Sequence, residues 1–357
     1  MLNRPFAFGA AMLAAGVLAG CGGGDPGPAA PTPALANEWR FTADEHIALW
    51  YHGLALADAG SSPDDAVPIY RAGYAAEAQA ARGRLGRGSS PFAAGAATIG
   101  GRIESSGAAD GLQFLPLYFD SWEQIRQAVD VWQRAAGDPS RAGDPQTQAV
   151  IAFLSQRFPN ASQRAAVVEF VGALEQERAS FFAAWWRDTQ PTATAAEAQT
   201  LWRTMQPQLT AFLRYSDAGG GHVSLTPALR GEGRAESGRG VAVAAIGGRS
   251  GEDARAIVGR VIHELAYSLA AEAVRDAVAP ARIREIGEDV LVARAAVRAG
   301  AMVLERVAPE LLAAYREDYI RAAGGDPARV TLVQQFDLPN ELVPALENAV
   351  QLATAGI

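Results

Sequence analysis

RAIVGRVIHELAYSLAAEAVRDAV, residues 255–278, decides how the rest of this chain is read. Its apolar positions Val258, Val261, Ile262, Leu265 and Leu269 recur at helical spacing, so the stretch is expected to form one long helix with that stripe inward. Arg260, Glu264 and Arg275 fall on a polar stripe, and Arg260 and Glu264, one turn apart, are expected to pair on the helix surface. His263 and Tyr267 share a further face with Ala256, Gly259 and Ala270. That face is small and uncharged, which suits close packing against another element.

Working outward, helix dominates on both sides. Upstream, Asn37–Ala57 reads as a helix opened by a Thr42/Glu45 capping box, and Tyr70–Arg87 reads as another that runs into the loop GRGSSPFAAGAA. Gly111–Asp120 reads as a buried turn, and Ser121 as the cap of a helix through Trp132. Gln146–Phe158, Ser162–Trp186 and Ala195–Tyr215 each carry helical periodicity. Downstream, Ile283–Val307, Pro309–Ala323 and Pro339–Ala353 do the same. The strand signals are His222–Thr226 and Gly240–Ile246, joined by RGEGRAESGRG, a glycine-rich polar turn of hairpin type. The expected fold is therefore mainly α, a multi-helix domain with a small β-hairpin or sheet packed near the His263 helix. Residues 38–215 form its helical region and residues 216–357 the region with the hairpin, the two making one compact unit.

The chemistry of the site begins with His263-Glu264-Leu265-Ala266-Tyr267. A zinc-binding helix needs two imidazoles one turn apart, with the glutamate beside the first activating a metal-bound water. Here Tyr267 stands where the second imidazole belongs, and a phenol with a pKa near ~10 is a poor zinc donor. His46 and His52 sit six apart on different helix faces and read as cap or packing residues. No Gly-x-Ser-x-Gly or P-loop pattern is present.

A hairpin, a helix bearing His-Glu and a following helix with acidic residues is an order that resembles the core of gluzincin-type zinc metallopeptidases, over residues 221–300. The resemblance implies Glu264 as the catalytic base, His263 as a metal ligand, and Glu285 or Glu288, with Asp289 adjacent, as the third ligand from the next helix. His222 is a further imidazole on the strand. Three readings follow. One is a degenerate, non-catalytic metallopeptidase-like protein with a binding or structural role, for which no cofactor is expected. The second is an active zinc peptidase using His263 and Glu264. The third is a helical envelope protein unrelated to peptidases.

The start of the chain fixes an expected location. Arg4 precedes an apolar run from Phe6 to Leu18, which ends in Leu18-Ala19-Gly20-Cys21. These are the parts of a secretory signal, residues 1–20, too short in apolar length to span a bilayer. The ending resembles the lipobox of bacterial lipoproteins, which implies cleavage before Cys21, acylation of that residue and a membrane partner through it. Gly22 after the cysteine resembles the outer-membrane pattern, with the protein facing the periplasm. Residues 21–37 are rich in Gly, Pro and Ala and read as a flexible tether. Cys21 is the one cysteine, so no internal disulfide supports the fold. The formal net charge is −8 and every Lys/Arg position is Arg, with no basic run to meet a phosphate backbone, so nucleic acid is not an expected partner.

Overall fold

The computed structural model describes residues 38–62, 65–88, 90–238 and 240–355; the signal, Cys21 and the tether lie outside the described residues. The chain is mainly α-helical with a small four-stranded mixed sheet. It divides into two compact units, one from residues 45–60 and 75–188, the other from the described parts of 35–44, 61–74 and 189–357. The division falls at 188/189 rather than at the expected 215/216.

The first unit holds α1 (Glu45–Ala57), α2 (Tyr74–Arg84, but for its first residue), α3 (Pro91–Ser106), α4 (Ala109–Phe114), α5 (Trp122–Arg134), α6 (Pro145–Arg157), α7 (Ala161–Glu177) and α8 (Ala183–Thr189, but for its last). Ser121 caps α5 by accepting from the Gln124 amide, as its position suggested. Three elements differ from the reading above. α4 and a 3-10 turn, Leu115–Tyr118, occupy most of the stretch read as a buried turn. α3 occupies the expected loop: Ser90 caps it, Pro91 opens it, and Gly100 lets its backbone lie against α1, where a Cβ would come within 2.1 Å of the Ala57 carbonyl. The glycines of the expected loop itself, Gly86, Gly88 and Gly95, have open space around them. The expected single helix 162–186 is instead interrupted by a π-helical turn, Arg178–Phe182. That turn delays the helical rotation by about one residue, so Phe181, Phe182, Trp185 and Trp186 all remain buried.

The second unit is built on a sheet of order β1-β2-β4-β3, with β1 (Trp39–Thr42), β2 (Gly220–Thr226), β3 (Arg234–Gly238) and β4 (Val241–Gly247). β1 runs parallel to β2, and β2 parallel to β4, while β3 is antiparallel to β4. The two strands expected to form a hairpin are thus parallel neighbours. The hairpin joins β4 to β3, which occupies the polar stretch read as a turn. β3 is an edge strand whose sequence, RAESG, lacks apolar alternation because three of its five residues stay partly exposed. β1 similarly takes the start of the expected first helix, since Trp39 and Phe41 alternate with Arg40 and Thr42 and only the aromatic pair turns inward.

One face of the sheet, with Phe41, Val223, Leu225, Ala244 and Ile246, forms a core with α9 (Thr192–Tyr215) and α10 (Ala254–Ala277). Trp39 packs on Trp202 of α9 with ring centroids 4.6 Å apart, which is why α9 belongs with the sheet. The chain continues through α11 (Pro280–Ile286), α12 (Glu288–Val307), α13 (Pro309–Ala322), α14 (Leu332–Gln335) and α15 (Leu342–Ala355). The expected helix 283–307 breaks at Gly287, whose φ of 97° an L side chain rarely adopts. α10 is the centre of this unit, packed against α9, α12, α13 and α15.

Candidate functional site

α10 buries not one stripe but nearly its whole middle, from Ile257 to Ala266 except Glu264, which is partly exposed. The small face around Gly259 does pack closely: a Cβ there would meet the Tyr315 ring at 3.0 Å, and one at Gly300 of α12 would meet the Tyr315 hydroxyl at 2.4 Å. Tyr315, held in this slot, donates to the Val297 carbonyl at 2.9 Å and packs at a tilt against Tyr319, ring centroids 4.5 Å apart. Tyr319 in turn lies 4.8 Å from the His263 ring, and Tyr267 meets that ring edge-on at 6.3 Å.

His263 is fully buried, and among the described residues neither ring nitrogen has a hydrogen-bond partner. Burial pushes its pKa down to about 3, with the Ala296 backbone opposing this and the charge of Arg234 adding to it. The imidazole is therefore neutral in the fold and charged on unfolding below its ordinary pKa of 6.5. Because the folded pKa is the lower one, the contribution to stability is complete above pH 6.5 and declines as pH falls toward 3. At ~1.4 kcal/mol per pH unit, moving from pH 6.5 to 4 should remove about 3 kcal/mol. Urea unfolding of wild type and His263→Phe at both pH values checks this: the variant should lack that part of the loss, and parallel pH dependence would contradict it.

Glu264 lies beside His263, 3.7 Å from Oε1 to Nε2, but its carboxylate is turned to β3, accepting from the Gly233 amide at 2.7 Å. The other proposed ligands are not brought to this pair. Glu285 is on α11, 66% exposed and paired with Arg282. Glu288 and Asp289 are exposed at the start of α12, eight and seven residues before Ala296, whose backbone acts on the imidazole. Eight residues at 1.5 Å of rise place Glu288 roughly 12 Å along the helix. His222 bonds Thr42 at 2.7 Å and Asp44 at 3.1 Å, on the sheet face opposite Val223 and Leu225 and so away from α10. Among the described residues no group of three or more His, Cys, Asp or Glu side chains is placed to hold a metal ion. One sealed imidazole and one engaged carboxylate do not fit zinc, which takes three protein donors in catalytic sites.

The expected Arg260–Glu264 surface pair is corrected. Arg260 is 2% exposed, and a buried guanidinium needs a full set of acceptors, which a single solvated carboxylate does not supply. It donates to both oxygens of Asp318 on α13, at 2.8 and 2.9 Å, to Glu252 at 2.6 Å and to the Gly247 carbonyl at 2.7 Å. Arg230 adds a bond to Asp318 at 2.9 Å. Burial alone would raise the Asp318 pKa, but Arg260 and Arg230 outweigh it and hold the carboxyl below its usual range. This network forms the floor of a groove of about 430 Å³, bounded by segment 68–72, the loops after β2 and β4, and α13.

The first unit carries a second buried cluster that the sequence reading missed. The Glu177 carboxylate accepts from Arg82 and Ser90 and lies 3.0 Å from His52 Nε2. Burial works to raise the Glu177 pKa, yet the hydrogen bonds and charge around it bring it to about 2, and burial lowers that of His52. All four side chains are nearly inaccessible, and Phe181 covers the Arg82 guanidinium at 4.2 Å. The carboxylate stands between the hydroxyl and the imidazole, so the order nucleophile–base–acid is not formed. What this arrangement does is neutralise a buried arginine. His46 likewise packs inside, its Nε2 2.8 Å from the Phe119 carbonyl.

Comparison with protein-family models, with curated proteins and with solved structures gave no match.

Proposed function

We propose that this protein is a lipid-anchored lipoprotein of the cell envelope, attached through acylated Cys21 and facing the periplasm, whose domain binds or scaffolds rather than cleaves. The observation carrying the non-catalytic reading is the state of the His-Glu pair: His263 is fully buried among tyrosines, and Glu264 is occupied by the Gly233 amide. A water-activating glutamate must face a metal-bound water with an open position for substrate. The Leu18-Ala19-Gly20-Cys21 series supports the anchor.

The test is elemental analysis of protein purified without chelator, wild type beside His263→Ala. No stoichiometric zinc is expected in either. One zinc per chain in the wild type and none in the variant would replace this reading with the active peptidase. For the anchor, labelling with a clickable fatty acid should depend on Cys21, and label persisting in Cys21→Ala would remove it.

A further inference from the structure

We propose that the groove above the Arg260 network is a binding site for a small phosphate ester. Five arginines and two acids line it, Arg71, Arg230, Arg249, Arg260 and Arg321 against Glu252 and Asp318, a net of 5 − 2 = +3. This concentration of positive charge sits in a chain whose own balance is −8. Excess charge in a concave site focuses the field and raises the local concentration of anions.

The charges divide by role. Arg260 spends its donors on Asp318, Glu252 and the Gly247 carbonyl, and the two acids balance it together with Arg230. The floor is thus neutral and fixed. The other three arginines, Arg71, Arg249 and Arg321, stand on the rim. Arg71 is anchored by its Nε to the Pro227 carbonyl at 3.0 Å. Arg321 has only an exposed partner on its own helix, Glu317 at 2.8 Å, a kind of pair that competes weakly with a ligand. The Arg249 guanidinium is exposed and has no partner among the described residues. Arg230 engages the floor through Nη1, leaving the rest of its fork for a ligand. Guanidinium forks match the paired oxygens of phosphate, and several around one group suit a dianion better than a single carboxylate.

The volume says more than charge alone. About 430 Å³ falls within the range of small-ligand pockets (~300–1,000 Å³) and far exceeds a bare phosphate ion. Pro68, Tyr70 and Leu229 give the groove an apolar side on which an organic body can rest. The ligand class is therefore a phosphate monoester with a compact apolar or aromatic body, whether free in the periplasm or presented as a lipid headgroup. This gives a ligand to the binding role proposed above, but stands on the groove alone.

Calorimetric titration of the mature chain with phenyl phosphate, inorganic phosphate and benzoate, together with flotation on phosphatidylcholine vesicles with and without phosphatidic acid, tests the proposal. Phenyl phosphate should bind more tightly than inorganic phosphate or benzoate. Arg249→Gln and Arg321→Gln should each weaken it by about tenfold, as loss of one charge-assisted hydrogen bond implies. Arg134→Gln, on the exposed face of α5, should leave it unchanged. Arginine-dependent binding of the soluble ester assigns a free ligand, and arginine-dependent binding confined to phosphatidic acid vesicles assigns a headgroup; both support the site. Binding to neither, or binding that Arg249→Gln and Arg321→Gln leave intact, overturns it, and benzoate bound as tightly overturns the phosphate assignment. Zinc found alongside arginine-dependent phosphate binding would remove the non-catalytic reading and leave this one.

Discussion

Arg260→Leu is expected to lower the unfolding free energy of the second unit by about 3–5 kcal/mol, because it leaves two largely enclosed carboxylates, 16% and 11% exposed, without their main counter-charge. Asp318 would keep only Arg230, and Glu252 would keep that same arginine at 3.9 Å. The Gly247 carbonyl, at the end of β4, would lose its side-chain donor as well. Arg260→Lys should recover only part of the loss, since an ammonium cannot present two parallel N–H groups to both Asp318 oxygens while reaching Glu252. The double variant Arg260→Leu with Asp318→Leu should be less destabilised than the single one, because it removes the orphaned charge with its partner. Urea denaturation at neutral pH measures all three, and a loss of under about 1 kcal/mol in Arg260→Leu would mean that the network is not buried as described.

Glu177→Leu should have an effect of similar size on the first unit, again about 3–5 kcal/mol, by leaving Arg82 charged and enclosed. Arg82 already has two nitrogens, Nε and Nη1, without hydrogen-bond partners among the described residues, so the Phe181 ring would be its remaining support. Glu177→Gln keeps the shape and the bond to Ser90 but loses the charge, and should fall between wild type and Glu177→Leu. The carboxyl also sets an acid limit. Its folded pKa, about 2, lies below the ordinary 4.5, so its stabilisation is complete above pH 4.5 and declines as pH falls toward 2. At ~1.4 kcal/mol per pH unit the full term is about 3 kcal/mol. An acid titration of unfolding should therefore be flatter below pH 4.5 in Glu177→Gln than in wild type; equal slopes would contradict the assignment.

How much of this was legible in the sequence depends on the kind of signal. Helices with a regular apolar period, such as α5, α9 and α10, could be read because periodicity records which side faces a core. β3 could not, since an edge strand of Arg, Glu and Ser carries no period-two contrast and glycines bracket it like a turn. α3 was obscured by the Gly, Ser and Pro residues at its start, of which Ser90 and Pro91 are its cap and first turn. The near-motif at His263 could be found by pattern, but its environment could not: that Glu264 would face the Gly233 amide depends on the β2–β3 loop reaching over α10. Arg260 and Asp318 are 58 residues apart, and Arg82 and Glu177 are 95 apart, so neither pairing leaves a local spacing to notice. The groove is assembled from segments around residues 70, 230, 250 and 320, each of which shows one or two arginines among many.

The pairing of β1 with β2 has a consequence for the order in which the molecule can assemble. Thr42 and His222 touch across 180 positions of chain, and the whole first unit is encoded between them. Closing an unstructured loop of that length costs about 4–5 kcal/mol of chain entropy, a term that falls once the intervening unit has collapsed and drawn the ends together. A chain emerging from its amino end therefore carries Trp39 and Phe41 without their sheet until residue 226 has followed, while residues 45–60 and 75–188 can already condense. β1 is made first among the described elements and is among the last to find its place. During that interval two aromatic side chains, later buried to 2% and 8% exposure, depend on other protection from water and from other chains.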